Sequence, residues 1–143
     1  MEEILALVLS VIFFILSIIH FLWATGSEWS YDKVLPTDND GKRVLSPRRI
    51  DCLIVAVGLL LFSIFYLISS QVVKVDVPSA VLKYGGWVFP LIFLIRAIGD
   101  FKYAGIFKRV KGTTFASWDN RLFTPLCLVI GIIGLTIAFL KQS

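Results

Sequence analysis

The sequence predicts an all-α integral membrane protein with four transmembrane helices. Hydrophobic residues make up 57% of its 143 residues and charged residues only 17%, with a mean hydropathy of +0.85, whereas soluble domains are about 45–50% apolar. Four apolar segments are each about 20 residues long, which lets a helix cross a hydrocarbon core of about 30 Å. Basic residues concentrate in two of the three connections. At this length we expect a single domain over residues 1–143.

The first span covers about residues 4–23. No basic stretch precedes it and no Ala-x-Ala site follows it, so we expect it to be retained and not cleaved as a signal peptide. Ala6, Ser10 and Ser17 share one helical face, and small residues on one face allow another helix to approach closely in lipid.

The first connection and the second span carry turn and capping signals. Asp40–Gly41 lies between short apolar pairs, which predicts a tight turn or small hairpin. The second span covers about residues 50–69, with Ser46–Pro47 suited to the N-cap and first helical position. Asp51 falls in the first turn, where the helix dipole favours an anion.

The third span covers about residues 80–99, and Arg96 is the one basic residue well inside an apolar run. In the connection that follows, Tyr103, Phe107 and Val110 recur at i, i+4 and i+7. This spacing predicts a short interfacial amphipathic helix in the third connection.

The fourth span covers about residues 122–140. Gly131, Gly134 and Ala138 give it a second small-residue face for close packing. The two small-residue faces favour either contacts within the bundle or a contact with another protein.

The basic residues predict the orientation in the membrane. The first and third connections contain ten of them: Lys33, Lys42, Arg43, Arg48, Arg49, Lys102, Lys108, Arg109, Lys111 and Arg121. Only Lys74, Lys83 and Lys141 lie on the other side. The positive-inside rule therefore predicts that both basic connections are cytoplasmic and both termini extracytoplasmic.

The expected partners are membrane lipids with anionic headgroups, not nucleic acid, because the basic residues lie between apolar spans. A membrane-protein partner or a homo-oligomer stays open. A headgroup-binding surface is assigned to four residues of the third connection: Lys102, Lys108, Arg109 and Lys111.

Polar residues converge at the end of the bundle that carries the basic connections. The ligand-binding candidates are His20, Trp23, Asp51, Arg96, Asp100, Asp119 and Arg121. A charge within a span is costly and usually faces a partner or a wet cavity. One interpretation is an anion site with Arg96 as the cation and His20 and Trp23 as donors. The other is an Arg96–Asp100 or Arg96–Asp51 ion pair that fixes helix register.

Three functions stay open. The first is binding of an anionic lipid or amphipathic small ligand at the cytoplasmic face through Arg96. The second is an accessory or scaffold subunit of a larger membrane complex. The third is a membrane enzyme that uses His20 with an aspartate as acid and base, although no nucleophile–base signature, Gly-rich phosphate loop or HExxH motif is present and no catalytic residue is assigned.

We expect no cofactor and no metal. With one histidine in the sequence, a bis-His haem is impossible within one chain, and a metal would need carboxylates from several helices.

Three blocks of sequence resemble a known family. They are HFLWATG at His20–Gly26, RAIGDFKYAGIFK at Arg96–Lys108, and TFASWD at Thr114–Asp119 followed by Pro125–Cys127. The chain is similar to a family of small bacterial four-helix membrane proteins, domain of unknown function 3995. Family members tend to have Tyr-Ser where this chain has Phe123–Thr124. The resemblance implies a four-helix architecture in a bacterial plasma membrane and implies no activity.

Overall fold

Four long helices make up most of the protein, and all four are long and apolar enough to cross a membrane. The computed structural model describes the backbone of residues 1–142 and the side chains of these residues except Tyr31 and Asp32. In chain order the helices are α1 Glu2–Ala24, α2 Tyr31–Val34, α3 Arg49–Ser69, α4 Ser79–Ile98, α5 Thr114–Trp118, a π-helical turn Asp119–Phe123, and α6 Thr124–Leu140. The predicted all-α fold with four transmembrane helices is confirmed.

The long helices pack as two pairs. α1 packs along α3 and α4 packs along α6, while α1 also contacts α6 and α3 barely contacts α4. We define the polar end of the bundle as the end where α1 and α4 finish and where α3 and α6 begin. The opposite end is the far end.

The tightest packing lies in the middle and at the far end. The buried core there includes Leu9 and Phe13 of α1, Tyr66 of α3, and Ile130 and Ile137 of α6. The rings of Phe13 and Tyr66 stack with their centroids 5.6 Å apart. The polar half of the bundle has no equivalent core among the described residues, and this difference leaves room for a cavity.

Small residues hold the α1–α3 pair together. The Ser10 hydroxyl donates to the Ser63 carbonyl at 2.8 Å, and the Ser63 hydroxyl donates back to the Ser10 carbonyl at 2.9 Å. About two helical turns nearer the polar end, the Ser17 hydroxyl donates to the Ala56 carbonyl at 2.8 Å. Such bonds between membrane helices average about 0.6 kcal/mol, so their main effect is to bring the two backbones close.

Glycines allow the backbones of α4 and α6 to approach closely. A Cβ added at Gly134 would lie 2.6 Å from Pro90 Cγ, and one at Gly131 would lie 2.4 Å from Leu94 Cδ2. The small-residue faces of both the first and the fourth span are therefore used inside the bundle.

The predicted turn of the first connection is present. Thr37 and Arg43 form an antiparallel bridge around Asp40–Gly41. The Asp38 carboxylate accepts a hydrogen bond from the backbone N–H of Lys42 at 2.8 Å, which closes the turn.

The start of α3 differs from the prediction. Its N-cap is Arg48 and not Ser46. The Asp51 carboxylate accepts the backbone N–H of Arg48 at 2.9 Å and also contacts the Arg48 guanidinium. A charged capping box therefore replaced the serine cap, because Asp51 lies three residues after Arg48.

The short helix of the third connection is also displaced. It lies at Thr114–Trp118, whereas the sequence placed it around Tyr103–Val110, which is a series of turns. Gly99 and Gly105 both have positive φ, +92° and +87°. Their backbones face each other so closely that a Cβ on Gly99 would lie 1.8 Å from the Ala104 carbonyl oxygen. This close approach folds the segment back on itself and prevents a helix.

Candidate functional site

A buried aspartate at the polar end gathers four hydrogen-bond donors. Asp119 is 0% exposed. Its Oδ1 accepts Arg96 Nη2 at 2.9 Å. Its Oδ2 accepts Lys108 Nζ at 2.9 Å, the Gly105 backbone N–H at 2.8 Å and the Thr124 hydroxyl at 3.1 Å. We call these five residues the Asp119 cluster. A carboxylate can accept about four hydrogen bonds, and Asp119 accepts four, one through Oδ1 and three through Oδ2.

The π-helical turn positions Asp119 between α5 and α6. Thr113 caps α5, its hydroxyl accepting the Ala116 backbone N–H at 3.1 Å, and the chain then widens into the turn Asp119–Phe123. A π-turn inserts an extra residue into a helix, and such turns are frequent at functional sites. Here the turn places the Asp119 carboxylate and the Thr124 hydroxyl on the same side.

Lys108 belongs inside the Asp119 cluster and not to the headgroup-binding surface assigned from sequence. It is 3% exposed. Its ammonium donates to Asp119, to the Gly105 carbonyl at 2.9 Å and to the Asn120 side-chain oxygen. All three of its N–H groups are therefore used, which compensates the cost of burying the charge. The other members of that predicted surface are exposed: Lys102, Arg109 and Lys111.

The Arg96–Asp100 pair expected from sequence does not form. α4 ends at Ile98 and Gly99 turns the chain away, so Asp100 is not one helical turn beyond Arg96. Asp51, the other candidate, is held by Arg48. Arg96 instead pairs with Asp119, 23 residues later in the chain.

Asp100 stabilises its own loop. Its Oδ1 accepts three backbone N–H groups, those of Lys102 at 3.0 Å, Tyr103 at 2.7 Å and Ala104 at 2.9 Å. Partial burial raises the pKa of Asp100, but the three backbone donors outweigh it, so the pKa lies below its ordinary value of 3.8. Asp100 is thus an anionic anchor for the loop that carries Gly105 and Lys108.

A cavity of about 730 Å³ occupies the polar half of the bundle, between the two helix pairs. We call it the polar-end cavity. Its walls are mainly apolar and come from all four long helices, including Leu16, Ile19, Phe62, Phe93, Leu126 and Ile130. Its volume lies within the range of small-molecule sites, about 300–1,000 Å³.

The two shortest helices, α2 and α5, cover this cavity. Lys33 and Val34 come from α2, and Phe115 and Trp118 come from α5. The Lys33 ammonium lies over the Trp118 ring, 5.1 Å from its centroid, and this cation–π contact links the two.

A few polar groups line the polar-end cavity: Ser30, His20, Lys33 and Arg96, with the Trp23 ring beside them. The Arg96 Nη1 atom is buried and has no hydrogen-bond partner among the described residues. Trp23 Nε1 donates to the Trp29 carbonyl at 2.9 Å, so its N–H is already used. No aspartate or glutamate with a described side chain lines this cavity.

The structure thus brings together three of the predicted site residues, His20, Trp23 and Arg96, and places Asp119 directly behind Arg96. The remaining candidates do not line the cavity: Asp51, Asp100 and Arg121.

The sequence did not indicate that residues of α2 and α5 line the polar-end cavity. Lys33 lies on a helix of four residues, too short to give a periodic pattern. Trp118 lies far from Lys33 in the sequence, so no spacing pattern predicts the contact between them.

Comparison with known proteins gives a family and no activity. The family model described as "Protein of unknown function (DUF3995)" matches residues 13–134. Neither the curated proteins nor the solved structures contain a match to the chain.

Proposed function

The chain belongs to the family of proteins of unknown function DUF3995, and from its geometry we propose that it binds an anionic amphiphile, a lipid or a similar small molecule, in the polar-end cavity. Arg96 contacts the anionic head and the apolar walls hold the tail. The observation that carries the proposal is the position of Arg96: it lines the polar side of an apolar cavity with its side chain 36% exposed, and its Nη1 has no hydrogen-bond partner among the described residues. A buried, unpaired donor of a charged group is costly unless a ligand satisfies it.

The balance of charges in and beside the Asp119 cluster supports an anionic ligand. The Asp119 cluster contains two cations, Arg96 and Lys108, and one carboxylate. Lys108 is buried and uses all three of its N–H groups, so within the Asp119 cluster the excess positive charge is accessible through Arg96. Lys33, which also lines the polar-end cavity, adds a second cation and no anion. An anionic headgroup would neutralise the excess at a site where water screens it weakly.

The shape of the polar-end cavity supports an amphiphile and not a free anion. Its walls are apolar along α1, α3, α4 and α6, and the polar groups lie at one end only. This division, with mostly apolar lining and a few placed polar groups, is typical of sites that orient a ligand by its head.

We infer that the polar end faces the cytoplasm of a bacterial plasma membrane, with both termini outside. Ten basic residues in the first and third connections support this orientation. Lys102, Arg109 and Lys111 are exposed at that end and are suited to anionic headgroups of the surrounding leaflet.

The other two functions receive less support from the geometry. The small-residue faces that a scaffold could have presented to a partner are occupied inside the bundle. An enzyme using His20 with an aspartate needs both groups at a common cavity. Asp100 is held by its own loop, Asp119 is fully buried against four donors, and neither lines the polar-end cavity with His20.

Native mass spectrometry of the protein extracted with its own lipids tests the proposal. We expect a retained anionic amphiphile that is lost in Arg96→Gln. It should also be lost in Gly58→Leu, which fills the cavity without touching Arg96, since a Cβ at Gly58 meets no atom within 4 Å. The matched controls are Arg109→Gln, an exposed arginine outside the cavity, and Gly58→Ala; both should retain the species. Equal retention in the native chain, Arg96→Gln and Gly58→Leu would overturn the proposal.

A further inference from the structure

We propose that His20 selects ligands whose anionic headgroup also carries a hydroxyl, such as a glycerol phosphate headgroup. This inference rests on the proposed function and names the chemistry of the head bound there. It assigns to His20 the role of hydrogen-bond acceptor, where its residue type alone suggested a donor.

The helix backbone selects the tautomer of the neutral His20 ring. Its Nδ1 lies 2.8 Å from the Leu16 carbonyl oxygen. A carbonyl oxygen can only accept, so Nδ1 must carry the hydrogen. In the neutral imidazole the other nitrogen, Nε2, is then an acceptor. The ring of Trp23 meets His20 edge-on with the centroids 4.8 Å apart, which holds the ring plane.

The Nε2 atom of His20 has no hydrogen-bond partner in the described part of the chain, since the bond given for this ring is the one made by Nδ1. His20 lines the cavity together with Arg96. The cavity therefore offers the ligand two complementary groups, a cationic donor on Arg96 and a neutral acceptor on His20.

These two groups discriminate between headgroups of equal charge. An anion that has only oxygen acceptors satisfies Arg96 but places lone pairs opposite Nε2 and leaves this nitrogen unpaired. A headgroup with a hydroxyl beside its anionic oxygens can donate to Nε2 and accept from Arg96 at once. Leaving one such group unpaired in a site of this kind weakens binding about tenfold.

Two matched probes test this directly: hexadecyl phosphoglycerol and hexadecyl methyl phosphate. Both are singly charged phosphodiesters with the same chain, and only the first has hydroxyls on its head. Titration of the purified full-length chain in detergent should show about tenfold tighter binding of the phosphoglycerol. In His20→Phe, which keeps a ring against Trp23, the two probes should bind alike. In Arg96→Gln both should bind more weakly.

The outcomes separate this inference from the proposed function. Equal binding of the two probes to the native chain, or a preference that survives in His20→Phe, overturns the role of His20 and leaves anionic-amphiphile binding intact. If neither probe binds, or if Arg96→Gln binds both like the native chain, the proposed function itself fails. Glycerol phosphate without a chain should not displace the probe; displacement would assign the site to a water-soluble phosphate. If His20→Phe does not fold, the probe comparison on the native chain decides alone.

Discussion

Asp119 affects the stability of the protein through its charge more than through its volume. Asp119 is fully buried, and its carboxylate forms an ion pair with Lys108, which is buried as well. A buried ion pair gives little net stability compared with apolar residues of the same size, but removing one member leaves an uncompensated charge. Asp119 and Lys108 therefore behave as one unit, and Arg96 extends this unit to the polar-end cavity.

Asp119→Asn should destabilise the protein by about 3–5 kcal/mol, because it leaves the buried Lys108 without a counter-charge. Thermal unfolding in detergent measures the effect. The matched control is Asp76→Asn, an exposed aspartate in the second connection, which should change stability by less than about 0.5 kcal/mol. Adding Lys108→Met to Asp119→Asn should recover part of the loss, and a strictly additive double variant would show that the pair is not coupled.

Asp100 should contribute stability that depends on pH. Its folded-state pKa lies below the ordinary value of 3.8, so the contribution is present above that value and is lost as the pH falls through the folded-state pKa. The stability difference between the native chain and Asp100→Asn should therefore be constant from pH 7 to 5 and shrink below about pH 4. A difference that grows as the pH falls would contradict the three backbone hydrogen bonds described for Asp100.

At the scale of elements, hydropathy predicts the four long helices, because a helix that crosses the bilayer needs a long apolar segment whichever helices pack against it. The partner of Arg96 could not be predicted in this way. The Arg96–Asp119 pair depends on the close approach of Gly99 and Gly105 in a turn. It also depends on the π-helical turn, which places the Asp119 carboxylate beside Arg96. The spacing of Tyr103 and Phe107 fitted a helix, but spacing contains no information on such backbone contacts.

The α4–α6 contact should be sensitive to the smallest added side chain. Gly134→Ala places a Cβ 2.6 Å from Pro90 Cγ and 2.8 Å from Tyr66 Oη, so the helices must separate. Overpacking of this kind costs about 1–3 kcal/mol. Gly58→Ala is the control, since it adds the same methyl group to a helix where nothing lies within 4 Å. It should be neutral or stabilising by up to about 1 kcal/mol. Equal thermal shifts in both variants would argue against the close α4–α6 packing.

At the scale of the whole molecule, the sequence predicted that His20, Trp23 and Arg96 converge, since successive spans run in opposite directions and bring alternate connections to one side. The ligand-binding hypothesis expected a pocket lined by these three residues, but the sequence did not predict the size or the apolar walls of the polar-end cavity. Only the packing shows that Phe13 and Tyr66 fill the middle of the bundle while the polar half contains a cavity.

Thiol labelling in intact bacterial cells tests the orientation. Lys74→Cys and Lys111→Cys replace exposed lysines of the second and third connections. With a membrane-impermeant maleimide, Lys74→Cys should react in intact cells and Lys111→Cys only after permeabilisation. The native chain, with Cys52 buried and Cys127 partly buried, gives the background. The reverse pattern would place the polar end outside the cell.

The division into two helix pairs has a consequence for how the molecule can be assembled. α1–α3 and α4–α6 each contain their own interlocking contacts, and only residues 70–78, of which 71–76 are exposed, join the two pairs along the chain. Fragments 1–73 and 74–143, synthesised separately in one cell, should therefore find each other and co-purify as a complementing pair. Each fragment would contribute part of the lining of the polar-end cavity, so neither fragment alone should retain the amphiphile that we propose as its ligand.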